Sequence, residues 1–290
     1  MKQRMLGDLR VGAIGLGAMP LSIESRRGHD VSIRAIHAAL DAGVTLIDTA
    51  DCYTLEEDGP GHNELLIAEA LAARPADASA VLVATKGGLV HRDDGRWLEL
   101  ATPGHLRFAA RASARRLGVE AIGLYQLHKP DARVPFDDQL GALAGLVDEG
   151  TVLRIGLSNV DAAQIRRGRE LLGDRLVSVQ NRFSPVYRGS LAELELCAEL
   201  GLTFLPWSPL GGIGRGADLD AVAAFRRTAD DLGVSVQRVA LAWELALGDH
   251  VIPIPGASRP ESITDSAGAA DLELDATTVA ALTDSLPVPA

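Results

Sequence analysis

Lysine and cysteine are both scarce in this chain of 290 residues. Only Lys2, Lys86 and Lys129 are lysines among 28 basic residues, so arginine supplies nearly all of the positive charge. A lysine at the end of a strand is therefore expected to serve chemistry, because lysine shifts its pKa readily and arginine does not. The two cysteines, Cys52 and Cys197, exclude a disulfide framework and make the cytoplasm the expected compartment.

Long hydrophobic runs and an excess of positive charge are also absent. No apolar stretch approaches the ~20 residues of a membrane-spanning helix, and residues 1–8 do not resemble a signal peptide. The formal net charge is −11, whereas a nucleic acid or an anionic membrane surface would favour a basic face. We therefore expect no nucleic-acid partner and no membrane partner.

Short apolar runs alternate with helix-like patterns along nearly the whole chain, which is typical of βα units. The apolar runs are Leu46–Ile47, Val81–Ala84, Gly123–Leu127, Val152–Leu157, Leu176–Val179, Leu202–Pro206 and His250–Pro253. The helix-like patterns are Val31–Gly43, Glu64–Ala73, Pro103–Leu117, Asp137–Glu149, Ala162–Leu172, Ala192–Leu200, Ala221–Leu232, Val236–Leu247, Glu261–Ala267 and Ala276–Leu286. With a first strand near the N-terminus there are about eight units. We predict an α/β fold, a (β/α)8 TIM barrel, as a single domain over residues 1–290 with two extra helices.

The N-terminal segment allows two interpretations. Leu6–Arg10 and Val11–Leu16 flank Gly7-Asp8 and predict a short β-hairpin, or Val11–Ile14 leads directly into the first strand. Gly15-Leu16-Gly17 partly matches a dinucleotide fingerprint, but Pro20 stands where the third glycine should be and no helix opens there. A tight strand-to-loop turn is the better interpretation.

Polar side chains follow the predicted strands again and again. Asp48 and His128 come directly after an apolar run, Lys86 ends the strand Val81–Thr85, and Tyr53 follows Asp48 by five positions. The carboxyl ends of parallel barrel strands meet at one mouth, where the active sites of such barrels are built. We therefore predict a functional site at this end of the barrel.

The residue types at these strand ends suggest proton transfer to a carbonyl group. A free tyrosine has a pKa near ~10, and a neighbouring lysine ammonium favours the phenolate and lowers that value. Asp48 would hold the ammonium of Lys86, and a neutral His128 would orient the carbonyl. The polypeptide has no redox-active group, so a hydride must come from a cofactor. No second His or Cys stands at ligand spacing from His128, so no metal is expected.

The motifs together resemble the aldo-keto reductase superfamily, in its bacterial type with a short C-terminal loop. They run in order from about Gly12 to Ser266. They are Asp-Thr-Ala-x-x-Tyr (48–53), the strand-end Lys86, Leu-Tyr-Gln-Leu-His (124–128), Gly-Leu-Ser-Asn (156–159), Gln-Asn (180–181), Trp-Ser-Pro-Leu-Gly (207–211) and Ile-Pro-Gly (254–256). The resemblance implies an NADP(H)-dependent reductase acting on a small-molecule carbonyl or alcohol, with Asp48, Tyr53, Lys86 and His128 as the catalytic tetrad.

The resemblance also implies the cofactor contacts. Ser158, Asn159 and Gln180 would bond the nicotinamide carboxamide, and Trp207 would stack on its ring. The glycine-rich loop would follow the pyrophosphate, and the segment after the last strand would hold the adenosine phosphate. The whole implied set is Gly17, Ala18, Met19, Asp48, Ser158, Asn159, Gln180, Trp207, Ser208, Pro209, Leu210, Gly211, Gly212, Gly214, Gly256, Ser258, Arg259, Ser262, Asp265 and Ser266.

The chain departs from the family pattern at several places. Ser262 stands where an arginine is common in the phosphate helix, and Ser266 stands where an asparagine is common near the adenine. Substrate choice falls to the loops near Met19–His29, Thr54–Gly61 and His91–Trp97, and aldehydes, ketones and sugars are all compatible. A Schiff-base aldolase using Lys86 and a nucleotide-binding module without turnover are the alternatives. Monomers and oligomers are equally compatible with the sequence.

Overall fold

The structure, a computed structural model, describes residues 1–23, 28–55, 58–92, 96–212 and 223–286. The strands are β1 (Gln3–Leu6), β2 (Leu9–Gly12), β3 (Leu16–Gly17), β4 (Leu46–Asp48), β5 (Leu82–Gly87), β6 (Leu89–His91), β7 (Trp97–Glu99), β8 (Leu124–Leu127), β9 (Ile155–Ser158), β10 (Leu176–Gln180) and β11 (Thr203–Phe204). Seven of them form one parallel sheet in the order β11-β10-β9-β8-β5-β4-β3, and the pairs β1–β2 and β6–β7 are antiparallel.

The segment 251–256 closes this sheet into a barrel. It is bridged in parallel to β11 through Phe204 and Val251, and to β3 through Gly17 and Gly256. Two prolines within the segment lack an N–H, so it makes only part of a regular ladder and appears as bridges rather than as a strand. The predicted (β/α)8 barrel is confirmed.

Gly17 has a structural reason to be glycine at this closure. A Cβ at this position would lie 2.7 Å from the carbonyl oxygen of Ile254. The Gly17 N–H donates to the carbonyl of Pro255 at 3.0 Å. The Gly15-Leu16-Gly17 segment is thus the first barrel strand and its exit, as the sequence indicated, and a 3-10 turn over Met19–Leu21 follows it.

Helices surround the barrel at the positions that the periodic patterns predicted, with ends shifted by a few residues, and the short helix Pro75–Ala78 was not predicted. Several have the expected end signals, such as the capping box that Asp161 and Gln164 form at the start of the helix Ala162–Leu172. The helices are α1 (His29–Asp41), α2 (His62–Ala72), α3 (Pro75–Ala78), α4 (Pro103–Leu117), α5 (Phe136–Asp148), α6 (Ala162–Leu172), α7 (Leu191–Leu200), α8 (Ala223–Leu232), α9 (Val236–Ala246), α10 (Pro260–Ala267) and α11 (Ala276–Asp284). Within the described residues no helix is long and apolar enough to cross a membrane.

Two hairpins add to the barrel. The N-terminal pair β1–β2 confirms the predicted hairpin, and its Leu6 and Val11 pack inside the barrel against Leu46 and Leu124. The second pair, β6–β7, lies where the sequence predicted only a loop near His91–Trp97. Its strands are three residues long and pair only with each other, so the sequence has no periodic signal from which to predict them.

The barrel interior is layered because alternate residues of a strand face the same side. Leu46, Leu82 and Leu124 belong to the apolar cluster with the N-terminal hairpin. The inward positions nearer the carboxyl ends are polar and include Asp48 and Lys86. The hairpin fills one end of the barrel with apolar side chains, and the other end keeps the functional groups.

The outer core lies between the strands and the helices. Trp243 of α9 is 1% exposed and stacks on Phe183 at 6.0 Å between ring centroids, with Phe225 of α8 at its edge. Glu64 is buried and forms an ion pair with Arg116, with 2.5 Å between the Glu64 Oε2 and the Arg116 Nε.

Candidate active site

The strand register brings Asp48 and Lys86 together inside the carboxyl end of the barrel. Asp48 ends β4 and Lys86 lies on the neighbouring strand β5, and both are almost fully buried. The Lys86 Nζ donates to the Asp48 Oδ1 at 2.5 Å. Because neither group is solvated, each charge depends on the other for its stabilisation.

Lys86 uses all three of its N–H groups. Besides Asp48, it donates to the backbone carbonyl of Thr49 at 2.8 Å and to the hydroxyl oxygen of Tyr53 at 3.2 Å. Burial lowers the pKa of Lys86, but Asp48 and Tyr53 outweigh burial, and the net shift of that pKa is upward. Lys86 is therefore a fixed ammonium aimed at the phenol of Tyr53.

Two glutamine side chains hold the other oxygen of Asp48. Gln126 of β8 donates to the Asp48 Oδ2 at 3.0 Å, and Gln180 of β10 donates to the same oxygen at 2.7 Å. The sequence analysis missed Gln126, although its position two residues before His128 on an alternating strand is a usable signal. It predicted Gln180 as a nicotinamide contact. In the structure the amide nitrogen of Gln180 also fixes Asp48.

Tyr53 lies on the loop after β4 and is 8% exposed. Burial raises the pKa of Tyr53 to about 12, while Lys86 acts in the opposite direction and Asp48 adds to the rise. Lys86 therefore lowers this pKa as expected, but desolvation of the phenolate is the larger effect and the net shift of the pKa is upward. Tyr53 is a protonated phenol at neutral pH.

His128 follows β8 and faces Tyr53. The two ring centroids are 5.7 Å apart with the planes at 82°. Burial and then the charge of Lys86 lower the pKa of His128 well below its usual range, so its imidazole is neutral, as expected. The His128 Nδ1 contacts the Cys52 Sγ at 3.5 Å.

The two non-glycine residues with left-handed backbone in the described part of the chain both belong to the implied cofactor set. Asn159 has a φ of 57° and Ser208 a φ of 51°. Such conformations are uncommon for residues with a Cβ and concentrate at functional sites. Asn159 donates to the backbone carbonyl of His128 at 2.9 Å and to the Ser158 hydroxyl at 3.1 Å, which ties the ends of β8 and β9 together.

Trp207 stands at the same mouth, beside Asn159. Its indole N–H is buried and has no hydrogen-bond partner within the described residues. The guanidinium carbon of Arg182 lies 6.0 Å from the centroid of Trp207 and 4.3 Å from that of Tyr187. These side chains and Asn159 line a cavity of about 420 Å³.

The other implied cofactor contacts near the barrel mouth differ in how far they are buried. Ala18 is fully buried, its backbone N–H donates to the Asp48 carbonyl, and its own carbonyl accepts from the Asn63 side chain. Met19 is half-buried and packs against the apolar cluster that contains Tyr53. Gly256 is exposed.

The loop after Trp207 keeps part of the predicted glycine-rich run. Gly211 has a φ of 92° and Gly212 a φ of 120°, conformations that favour glycine. Pro209 is buried, and Leu210 is half-buried against the core. Gly214 lies outside the described residues.

The segment after the barrel closure brings only some of the implied adenosine contacts to the surface. Arg259 is exposed at the N-cap of α10, and Ser258 and Ser262 are half-buried beside it. The Asp265 carboxylate accepts hydrogen bonds from the Arg238 guanidinium, with 2.8 Å between Oδ1 and Nη2, and from the Ser235 hydroxyl. Ser266 is 4% exposed. The arrangement leaves Arg259 as the accessible cation of this set.

The sequence of the whole chain is similar to known reductases. A family model described as the aldo/keto reductase family matches residues 13–286. An uncharacterised oxidoreductase of Schizosaccharomyces pombe is 34% identical over 284 residues, covering 96% of this chain and 87% of that protein. The 6-dehydroglucose reductase of Novosphingobium aromaticivorans is 34% identical, covering 92% of this chain and 89% of that protein.

Solved structures are similar over nearly the full length as well. An aldo/keto reductase from Klebsiella pneumoniae in complex with NADP and acetate has a TM-score of 0.84 at 26% identity, covering 99% of this chain and 96% of that chain. A glycerol dehydrogenase from Gluconobacter oxydans has a TM-score of 0.83 at 26% identity, covering 98% of this chain and 94% of that chain. With the family model matched across the barrel, this chain belongs to the aldo/keto reductase family.

Proposed function

We propose that this protein, as a single domain, is an NADP(H)-dependent oxidoreductase that reduces a carbonyl group to an alcohol, with Tyr53 as the general acid. The observation that carries the proposal is the hydrogen bond from the Lys86 ammonium to the Tyr53 hydroxyl, beside a neutral His128. The complex of the Klebsiella relative with NADP supports the choice of cofactor.

The residues at the barrel mouth fit a nicotinamide. Trp207 offers an aromatic ring and an indole N–H that has no hydrogen-bond partner within the described residues, and Asn159 and Ser208 have left-handed backbones at the carboxyl ends of strands on the same mouth. Ser158 and Asn159 would bond the carboxamide, and Trp207 would stack on the ring. NADPH supplies a hydride to the carbonyl carbon when it is bound.

The proton on the product alcohol would come from Tyr53. Its hydroxyl oxygen accepts from Lys86, so its own hydrogen is free to donate to a carbonyl oxygen. Lys86 stabilises the negative charge that develops on the phenol as the proton leaves, and Asp48 keeps Lys86 in place. The neutral His128 would donate a second hydrogen bond to the same carbonyl oxygen and orient it.

The geometry gives no support to the Schiff-base alternative. An aldolase lysine must attack as a neutral amine. The Lys86 nitrogen donates three hydrogen bonds and its pKa is raised, so it has no lone pair available. Lys86 is suited to electrostatic support of Tyr53.

The test compares Tyr53→Phe with Tyr125→Phe. Tyr125 is also a fully buried tyrosine, but its hydroxyl bonds the Leu106 carbonyl at 3.4 Å, away from the tetrad. General-acid catalysis contributes ~10²–10⁴-fold, so Tyr53→Phe should lose that much turnover with NADPH and aldehydes, ketones or sugars. NADPH affinity should be unchanged in both variants.

The outcomes separate the two remaining functions. Loss of turnover in Tyr53→Phe alone supports the reductase. If the wild-type protein binds NADPH and turns over none of the three carbonyl classes, the nucleotide-binding module without turnover is the better assignment. Near-normal turnover of Tyr53→Phe would remove Tyr53 from the role of general acid.

A further inference from the structure

We propose that Cys52 is a positioning residue that fixes the tautomer of His128, so that the Nε2 nitrogen of His128 carries the hydrogen. This proposal rests on the proposed carbonyl reduction. It assigns to Cys52 a task beyond that of a buried side chain packed beside the site.

The contact between the two side chains is enclosed. The Cys52 Sγ lies 3.5 Å from the His128 Nδ1, and the two residues are 6% and 7% exposed. Cys52 comes directly before Tyr53 on the loop after β4, whereas His128 follows β8. Burial keeps bulk water from the pair, so the Cys52 sulfur is the group that decides the state of Nδ1.

The direction of this hydrogen bond follows from the chemistry of the two groups. A neutral imidazole has one N–H donor and one acceptor nitrogen, and the hydrogen bond at one nitrogen fixes which is which. A thiol sulfur is a weak acceptor, whereas an imidazole nitrogen is a good one. Burial raises the pKa of the Cys52 thiol well above its usual value, so the S–H is present to donate to Nδ1.

The consequence concerns the carbonyl oxygen of the substrate. With Nδ1 accepting from Cys52, the hydrogen of the neutral ring is on Nε2 and can be donated to that oxygen. In the other tautomer the Nε2 lone pair would face the oxygen and repel it. Because a neutral hydrogen bond has a modest net value, loss of this preference should lower turnover about tenfold and leave cofactor affinity unchanged.

The experiment uses the full chain labelled with 15N in histidine. Its variants are Cys52→Ala, Cys52→Ser and, as a matched control at the other buried cysteine, Cys197→Ala. The 15N shifts of His128 report the tautomer directly, and kcat is measured beside the dissociation constant of NADPH. We expect the Nε2–H form in the wild type, in Cys52→Ser and in Cys197→Ala.

Cys52→Ala should show a mixed or reversed tautomer and about a tenfold lower kcat, and the serine O–H should restore both. A wild-type spectrum with the hydrogen on Nδ1 overturns the proposal, and so does a Cys52→Ala variant with an unchanged tautomer or an unchanged kcat. If Cys52→Ala does not fold, the wild-type spectrum and Cys52→Ser still decide. The proposed function fails separately if the wild type reduces no carbonyl, because the 15N spectra need no turnover.

Discussion

Replacement of Lys86 by methionine tests the centre of the proposed mechanism. Lys86 and Asp48 form an ion pair in which the two side chains are 0% and 4% exposed. Removal of the ammonium leaves the Asp48 carboxylate buried, with the amides of Gln126 and Gln180 as its side-chain donors among the described residues. Breaking a buried pair in this way costs about 3–5 kcal/mol. We expect Lys86→Met to be both inactive and less stable.

The magnitude is large enough to measure in thermal unfolding. For a chain of this size about 1 kcal/mol corresponds to roughly 2–4 °C, so the Tm should fall by about 10 °C. Turnover should fall by at least ~10²-fold, because the phenol of Tyr53 loses the ammonium that opposes the rise in its pKa due to burial.

The double variant Asp48→Asn/Lys86→Met separates stability from chemistry. Replacing a buried ion pair by neutral groups is often close to neutral for stability, and an asparagine oxygen still accepts from the two glutamines. The Tm should therefore recover most of the loss, while turnover stays low. Lys86→Arg is the fourth protein, and we expect it to be inactive because a guanidinium cannot occupy the closed site of a compact ammonium.

The assay is calorimetry together with NADPH-dependent carbonyl reduction for the four proteins. The reasoning is refuted if Lys86→Met keeps near-normal turnover, because the ammonium then has no chemical task. It is also refuted if the double variant is as unstable as the single variant, because the instability then has another origin than the unpaired Asp48 carboxylate.

Two further predictions concern the cofactor and the core. Arg259→Ala should weaken NADPH binding roughly tenfold or more and leave NADH binding almost unchanged, because one charge-assisted contact with a phosphate is worth about 1.5–3 kcal/mol. Titrations of both cofactors measure this, and equal weakening of the two would place Arg259 away from the extra phosphate. Glu244 is fully buried and makes no hydrogen bond within the described residues, and burial raises its pKa well above 4.5. Above pH 4.5 the carboxyl of Glu244 ionises in the unfolded chain but stays protonated in the folded protein, so the free energy of unfolding falls as the pH rises. Glu244→Leu should therefore raise the Tm more at pH 8 than at pH 5, and an equal gain at both pH values would contradict this reasoning.

The sequence alone predicted the barrel and most of the polar residues at the strand ends, because both depend on patterns among neighbouring residues. Each of Asp48, Lys86 and His128 follows a short apolar run, and alternation along a strand is a property of neighbouring residues. Gln126 occupies an inward-facing position two residues before His128, but its partner depends on a contact with Asp48 of another strand, which the local pattern does not show. The β6–β7 hairpin was missed because its strands are too short to show a pattern.

The sequence by itself determined which residue types stand at which strand ends, because the order of βα units and the inward-facing positions follow from periodicity. Only the tertiary structure decided how those groups behave. The pKa of Tyr53 rises rather than falls because burial removes water from the phenol, and burial is set by side chains that are distant along the chain. The contact of Cys52 with His128 joins residues 76 positions apart. Charge balance and tautomer depend on such contacts, which only the closed barrel creates.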